Sequence, residues 1–317
     1  MTDPTKLAIY YRDDMVRADD AGNYSKSPTK PRRFLEFLQA SILAPHLIIR
    51  ADFEPLTRAD LLTAHEAGYV DAFLSGTGSL TSSNGLEWSA QFRDSVLLTN
   101  SCLLRAIVAA LDDPQQTTMA PVSGFHHATP QRGGGFCTFS GQVIAALQVY
   151  RGRGKVGAWI DLDGHFGNSI EDSRNFAADL DLAIPRDCNV NPSGSHADYL
   201  EDLQRKLAVI ERLVRTDKVH YLCFAHGADS HQWDQLGHQC STEEWLQASD
   251  AVYEMVAKLR ADGHAVPVTL ALFGGYRDDH PQSVLGLHAM DTARALAWLC
   301  GHAELRDYQA EVQAPKR

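Results

Sequence analysis

Short apolar runs alternate with helix-length amphipathic segments along the whole chain, and this alternation restricts the fold more than any other feature. The runs Leu7–Tyr11, Leu47–Arg50, Val156–Asp161, Val219–Ala225 and Val266–Phe273 have the length of strands. Between them the apolar residues recur with helical spacing, most clearly in Tyr199–Val214, where Leu200, Leu203, Leu207, Ile210 and Leu213 fall three or four apart. The segments Arg32–Ile42, Arg58–Leu74, Phe92–Leu111, Gly141–Tyr150, Thr242–Arg260 and His288–Cys300 also read as helices. Strands separated by helices pair in parallel, because each crossover carries a helix back over the sheet. The expected fold class is therefore α/β: a mostly parallel sheet with helices on both faces. No proline-rich or Gly/Ser linker, repeat or low-complexity tract divides the chain, which predicts a single domain over residues 1–317. The polar stretches Gly76–Gly85, Thr129–Gly135 and Pro185–Ser195 read as loops.

Composition narrows the function classes. Hydrophobic residues at 44% and charged residues at 22% are ordinary for a globular chain. The formal charge of −11 argues against a nucleic-acid partner and faintly favours a cationic substrate. The six cysteines are scattered with no CxxC pair, as expected of reduced thiols in the cytoplasm. The start MTDPTKLAIYYRDD does not have the pattern of a signal peptide, and no run of about 18 apolar residues predicts a membrane span. Oligomerisation is left open.

In open α/β sheets ligands sit beyond the carboxyl ends of the strands, so the chemistry is sought there. The run Val156–Asp161 leads into Asp161-Leu-Asp163-Gly-His165-Phe-Gly167-Asn168. Residues two apart on a strand share a side, so Asp163 and His165 are expected to point at one ion. Asp229, in the segment His226-Gly-Ala-Asp229-Ser-His231, lies just past a second strand end and supplies a third ligand. Three protein ligands with a fourth position open is the arrangement of a catalytic zinc. The histidines His226, His231 and His238 are read as hydrogen-bonded loop groups, not as a second centre. A third segment, Gly124-Phe125-His126-His127, offers a general base and an electrostatic partner. A fourth, Phe273-Gly274-Gly275-Tyr276, ends the last expected strand with a phenol able to donate to an oxyanion. Each motif alone arises easily by chance. Their joint placement does not.

On these residues the chain resembles the histone deacetylase superfamily, within the arginase–deacetylase fold. The likeness runs from SPTKPRRFLEFL at Ser27 through AHEAGYVDAFLSG, GFHHA…GGGFC, DLDGHFGN and GADSHQWDQLG to LFGGYR. The resemblance implies one zinc ion per chain held by Asp163, His165 and Asp229. It implies tandem catalytic histidines His126 and His127, oriented by Asp161 and Asn168 respectively, and a catalytic Tyr276. Gly135 and Phe136 match one wall of an acyl-lysine tunnel. The implied activity is hydrolysis of an N-acyl amide, acetyl first among them, of a lysine-like or small amine. In such chemistry zinc polarises the carbonyl and brings the pKa of water towards roughly 7. His127 moves the proton, His126 stabilises charge, and Tyr276 donates to the tetrahedral oxyanion.

The departures bear on substrate. Phe166 replaces the second histidine of the usual HHG, and GDPLG becomes Trp233-Asp234-Gln235-Leu236-Gly237. Leu236 stands where polyamine-specific relatives carry a gatekeeper glutamate, which argues against acetylated polyamines. The acidic residues Asp13, Asp14, Asp19 and Asp20 argue faintly for them. No aromatic residue marks a second tunnel wall near Asn191-Pro192, and the loop Gly78–Gly85 has no peptide-gripping acid. The segment Leu182–Arg186 lacks the serine and histidine that lie near a potassium ion in relatives, which leaves a structural K⁺ open. Gly167 and His231 stand where a binuclear relative would place bridging acids, which favours one metal.

Overall fold

Seven strands make one all-parallel sheet: β1 (Leu7–Tyr10), β2 (Leu47–Arg50), β3 (Thr117–Ala120), β4 (Gly157–Asp161), β5 (Asn189–Val190), β6 (Tyr221–Ala225) and β7 (Val268–Ala271). Their order is β2-β1-β3-β7-β6-β4-β5 in this computed structural model, which describes residues 5–16 and 25–315. Asp19 and Asp20 lie outside the described residues. Asp13 and Asp14 are engaged locally, Asp13 with the Tyr11 hydroxyl at 2.8 Å and Asp14 with Arg12 at 2.6 Å.

The helices are α1 (Lys30–Gln39), α2 (Arg58–Leu61), α3 (Ala67–Ser75), α4 (Ala90–Asp112), α5 (Gly141–Arg153), α6 (Ser169–Ser173), α7 (Leu180–Ala183), α8 (His196–Arg215), α9 (Thr242–Ala261) and α10 (Pro281–Leu299). From β2 to β5 the chain steps one way across the sheet, and from β5 through β6 to β7 it steps back. With right-handed crossovers that reversal puts helices on opposite faces. The packing agrees: α1, α10, α9 and α8 touch in series, while α4, α5 and α7 form a separate series. On α8 the buried stripe is Tyr199, Leu203, Leu207, Ile210 and Val214, the three-and-four spacing read from sequence. α4 is long and apolar enough to cross a membrane by length and composition, yet it packs against β1, β3, β6, β7 and α5.

Three expectations need correction. Arg58–Leu74 is not one helix. The chain leaves helical geometry at Glu66, whose N–H donates to the Pro130 carbonyl at 2.8 Å, and His65 turns inward to the Thr129 carbonyl and the Ser140 N–H, each at 2.9 Å. Pro185–Ser195 is not wholly a loop, since it contributes edge strand β5. The expected strand Val266–Phe273 is also shorter than read: Leu272 and Phe273 turn away, their N–H groups both reaching the Val122 carbonyl. Phe273 takes a left-handed φ of 55°, which steers the chain towards the site.

Candidate metal centre and active site

Four adjacent strands, β3, β7, β6 and β4, carry the motif residues at or beyond their carboxyl ends. His126 and His127 follow β3, Tyr276 follows β7, Asp229 follows β6, and Asp161, Asp163 and His165 close and follow β4. The tandem histidines thus extend a strand as the other motifs do.

Strand alternation does not bring Asp163 and His165 together. β4 ends at Asp161 and the backbone bends at once: Asp163 N–H donates to Asp161 Oδ1 at 3.1 Å, and His165 N–H to Asp163 Oδ1 at 3.0 Å. Asp163, His165 and Asp229 then offer ligand atoms that all lie within 4.8 Å of one another. His165 Nδ1 is 3.1 Å from Asp163 Oδ1 and 2.9 Å from Asp229 Oδ2. The second oxygen of each carboxylate is tied to backbone, Asp163 Oδ2 by Gly274 N–H at 2.8 Å and Asp229 Oδ1 by Gly164 N–H at 3.1 Å. Both aspartates are buried, and a Cβ on Gly274 would collide with the Asp229 carboxylate. Glycine is required there by close approach.

The electrostatics of this cluster call for a cation. Burial, with the Asp163 charge next, pushes the Asp229 carboxyl up to about 7. Hydrogen bonds to Asp163 and then Asp229 hold the His165 imidazole up at about 10. With protons as the only cations, the imidazole between two carboxylates is obliged to keep one. A divalent ion among the three side chains relieves the same repulsion, and Asp/His/Asp is a donor set that zinc accepts. The residues fit the metal.

The tandem histidines differ in their partners. His126 is buried with Nδ1 2.9 Å from Asp161 Oδ2, and its Nε2 faces Asp163 Oδ1 at 3.6 Å. Burial opposes its protonation, but the Asp163 and Asp161 carboxylates prevail and raise it to about 9. His127 Nδ1 meets Asn168 Oδ1 at 2.8 Å, and Asn168 Nδ2 donates to Asp172 Oδ2 at 2.6 Å. The carbonyl end of the amide therefore faces the ring, Nδ1 carries the proton, and Nε2 keeps its lone pair. Burial, with the neighbouring His126 charge, lowers the pKa of His127.

His126, Gly135, Phe136, Asp163, Gly274 and Tyr276 line one small cavity. The Tyr276 ring lies 5.8 Å from Phe136 and 6.3 Å from His165, centroid to centroid. Burial, with the Asp163 and Asp229 charges, keeps its hydroxyl protonated far into alkaline pH. Phe136 holds a φ of 63°, its N–H bonded to the Asn84 carbonyl at 2.9 Å. A side chain at Gly135 would sit 2.5 Å from His127 Cδ2. Leu236 lies outside that cavity, 39% exposed, and Phe166, next to His165, is 62% exposed.

The remaining histidines of the Asp229 segment do not converge. His226 stacks on Trp245 at 3.6 Å, His231 Nε2 meets Thr242 Oγ1 at 2.8 Å, and His238 Nδ1 donates to the Gln232 carbonyl at 3.1 Å. Gly167 has no room for a bridging acid, since a Cβ there would lie 2.6 Å from Asp161 Oδ2. In the Leu182–Arg186 segment the buried guanidinium of Arg174 donates to the Ile184 carbonyl at 2.9 Å and to Asp181 at 2.6 Å, so a fixed positive charge of the chain already lies there.

Three contributors escaped the sequence reading. Lys30 is buried and donates to the carbonyls of Phe273 and Gly274, the latter at 3.0 Å, behind the loop whose Gly274 N–H holds Asp163. Asp172 sets the amide of Asn168. Asp234 accepts from Tyr276 N–H at 2.7 Å and from Leu236 N–H at 3.0 Å, so it ties the tyrosine turn to the Asp229 segment. Lys30 adjoins the run Pro31-Arg32-Arg33, which reads from sequence as a solvated helix start; only its burial distinguishes it.

The histone deacetylase domain family matches residues 24–180. Histone deacetylase 14, chloroplastic, of Arabidopsis thaliana is 28% identical over 156 residues, which is 42% of this chain. The match spans 34% of that relative's length. The crystal structure of the HDA15 HD domain has the same fold, with a TM-score of 0.71 at 17% identity over 94% of this chain and 89% of that one.

Proposed function

The chain belongs to the histone deacetylase superfamily, and from that membership we propose that it is a zinc-dependent hydrolase removing an acyl group, acetyl first, from the nitrogen of a lysine-like or small amine. The observation that carries this reading is the convergence of Asp163, His165 and Asp229 on one point, bordered by the His126–His127 pair and the Tyr276 ring.

Asp163, His165 and Asp229 would hold the ion. Zinc at that position supplies electrophilic polarisation of the amide carbonyl and acidification of water. His127 accepts the water proton at Nε2, because Asn168 fixes the N–H at Nδ1. The same nitrogen returns a proton to the departing amine. His126, kept cationic by Asp161 and Asp163, stabilises the negative charge that develops as the carbonyl carbon becomes tetrahedral. Tyr276 donates its O–H to that oxygen. Phe136 and Tyr276 border the acyl group and exclude water. The products are a carboxylate and a free amine.

Two exposed apolar residues of the motif segments support a substrate class. Leu236 and Phe166 expose apolar surface where a polycationic amine would be served by acids. That supports an amide of a single amine over an acetylated polyamine. A panel of acetyl-lysine peptides, acetylated diamines and polyamines, and longer acyl-lysine amides tests the reading. Turnover highest on an acetyl-lysine or small acetylamine substrate is expected, whereas turnover confined to polyamines would overturn the substrate assignment.

A further inference from the structure

Away from the active site, the described residues gather one other set of metal-type donors: His46, His302 and Glu304, whose ligand atoms lie within 4.8 Å of one another. They sit at the opposite end of the sheet. His46 immediately precedes β2, and His302 and Glu304 follow α10. Thr5, just before β1, joins the group through its carbonyl.

The geometry is what makes this cluster a ligand set. His302 Nε2 lies 3.0 Å from the Thr5 carbonyl, and since a carbonyl only accepts, Nε2 carries the proton. Nδ1, on the other side of the ring, faces Glu304 Oε1 at 3.5 Å. Two ligands bonded to a tetrahedral zinc at about 2.0–2.2 Å lie about 3.3–3.6 Å apart. The separation has the span of a coordination edge. A histidine ligand that donates its other N–H to a backbone carbonyl is the usual support for a bound ion. The second imidazole is close: the His46 and His302 ring centres are 4.2 Å apart at 64°. His46 makes no hydrogen bond through its ring among the described residues. Burial, with His302 next, lowers its pKa. Lys6 is the other charged group facing His46 and opposes a cation there, against Glu304.

We propose that His46, His302 and Glu304 form a second divalent-metal site, for zinc or another ion that favours imidazole with carboxylate, fastening the segment after α10 to the amino-terminal edge of the sheet. The donor set is two imidazoles and a carboxylate, which suits borderline ions over calcium or magnesium. The site is independent of the acyl-amide reading and lies at the far end of the strands.

The test is metal stoichiometry of the full chain, stripped with chelator and titrated with Zn²⁺ or with Co²⁺ followed by its visible absorption. The wild-type chain should take up two equivalents and gain thermal stability as the weaker one binds. His46→Ala with His302→Ala should lose one equivalent and that thermal gain, while turnover on an acyl amide at saturating zinc is unchanged. Glu304→Gln alters only an exposed side chain and should weaken the second equivalent by roughly tenfold or more. Variants that bind as many equivalents as wild type, with unaltered Co²⁺ spectra, would overturn the proposal. A wild-type chain saturating at one equivalent that the His46 and His302 changes do not remove would overturn it equally. Were the active site alone to fail, wild type would bind one equivalent and these variants none.

Discussion

Asn168 presents its Oδ1 to His127 Nδ1 at 2.8 Å because Asp172 holds its Nδ2 at 2.6 Å. The neighbouring His126 faces a carboxylate in the same position, Asp161 Oδ2 at 2.9 Å. An amide fixes a tautomer and favours the charged ring only weakly, whereas a carboxylate favours it strongly. On the proposed mechanism, adjacent histidines thus take different duties from the residues behind them. Asn168→Asp should erase the difference. With a carboxylate behind it His127 gains a proton more readily, so the acid limb of the kcat/KM profile should move up by about one pH unit or more. In the wild-type chain burial and the His126 charge hold His127 low, so that limb should lie below the ordinary histidine range. An unmoved limb in the variant would remove His127 from the role of base.

Tyr276→Phe removes only the hydroxyl, and the ring contacts with Phe136 and His165 remain available. Turnover should fall by about 10²–10³, equivalent to about 3–4 kcal/mol, with zinc content unchanged. Steady-state kinetics alongside metal analysis reads both.

Gly274→Ala places a methyl group against the Asp229 carboxylate on the strand turn that supplies the N–H to Asp163. Zinc affinity should drop roughly 10–100-fold and turnover with it, measured by competition with a chromophoric chelator. Retention of full affinity would show that the loop yields without cost to the ligands.

Much of the site was legible in the sequence because its residues are chemically conspicuous and close together in sequence: Asp161, Asp163 and His165 on one segment, His126 and His127 on another. The parallel sheet was legible because β1, β2, β4, β6 and β7 are contiguous apolar runs. β3 was not, and the reason is physical. Its residues Thr117 and Thr118 look polar, but they are buried, and Thr118 Oγ1 is satisfied by the Ala106 carbonyl at 3.0 Å and Thr269 Oγ1 at 2.9 Å. Tertiary partners there replace the hydrophobic signal that a sequence scan relies on. β5, two residues long, carries no periodicity at all. Lys30 shows the converse: its sequence neighbours indicate a solvated helix start, and only the carbonyls of Phe273 and Gly274, supplied from the other end of the chain, bury it.

His65 gives a pH dependence of stability unrelated to the metal. Its Nδ1–H donates to the Thr129 carbonyl and its Nε2 accepts from Ser140 N–H, so the neutral ring is fully satisfied. Burial pushes its pKa down to about 4. The unfolded chain binds this proton near 6.5 and the folded chain does not, so stability falls as pH drops from about 6.5 through about 4 and is constant above that window. The loss amounts to roughly 3 kcal/mol. Denaturant unfolding of wild type and His65→Gln across this range should show a smaller pH slope in the variant. Equal slopes would assign the acid sensitivity to other groups.

The central claim, that Asp163, His165 and Asp229 hold the ion on which amide hydrolysis depends, is tested most directly by turnover of an acetyl-lysine amide after chelation and after zinc is restored. Wild type should lose activity on chelation and recover it with zinc, while Asp229→Ala should recover none. Hydrolysis that persists through chelation, or in Asp229→Ala, would contradict the account.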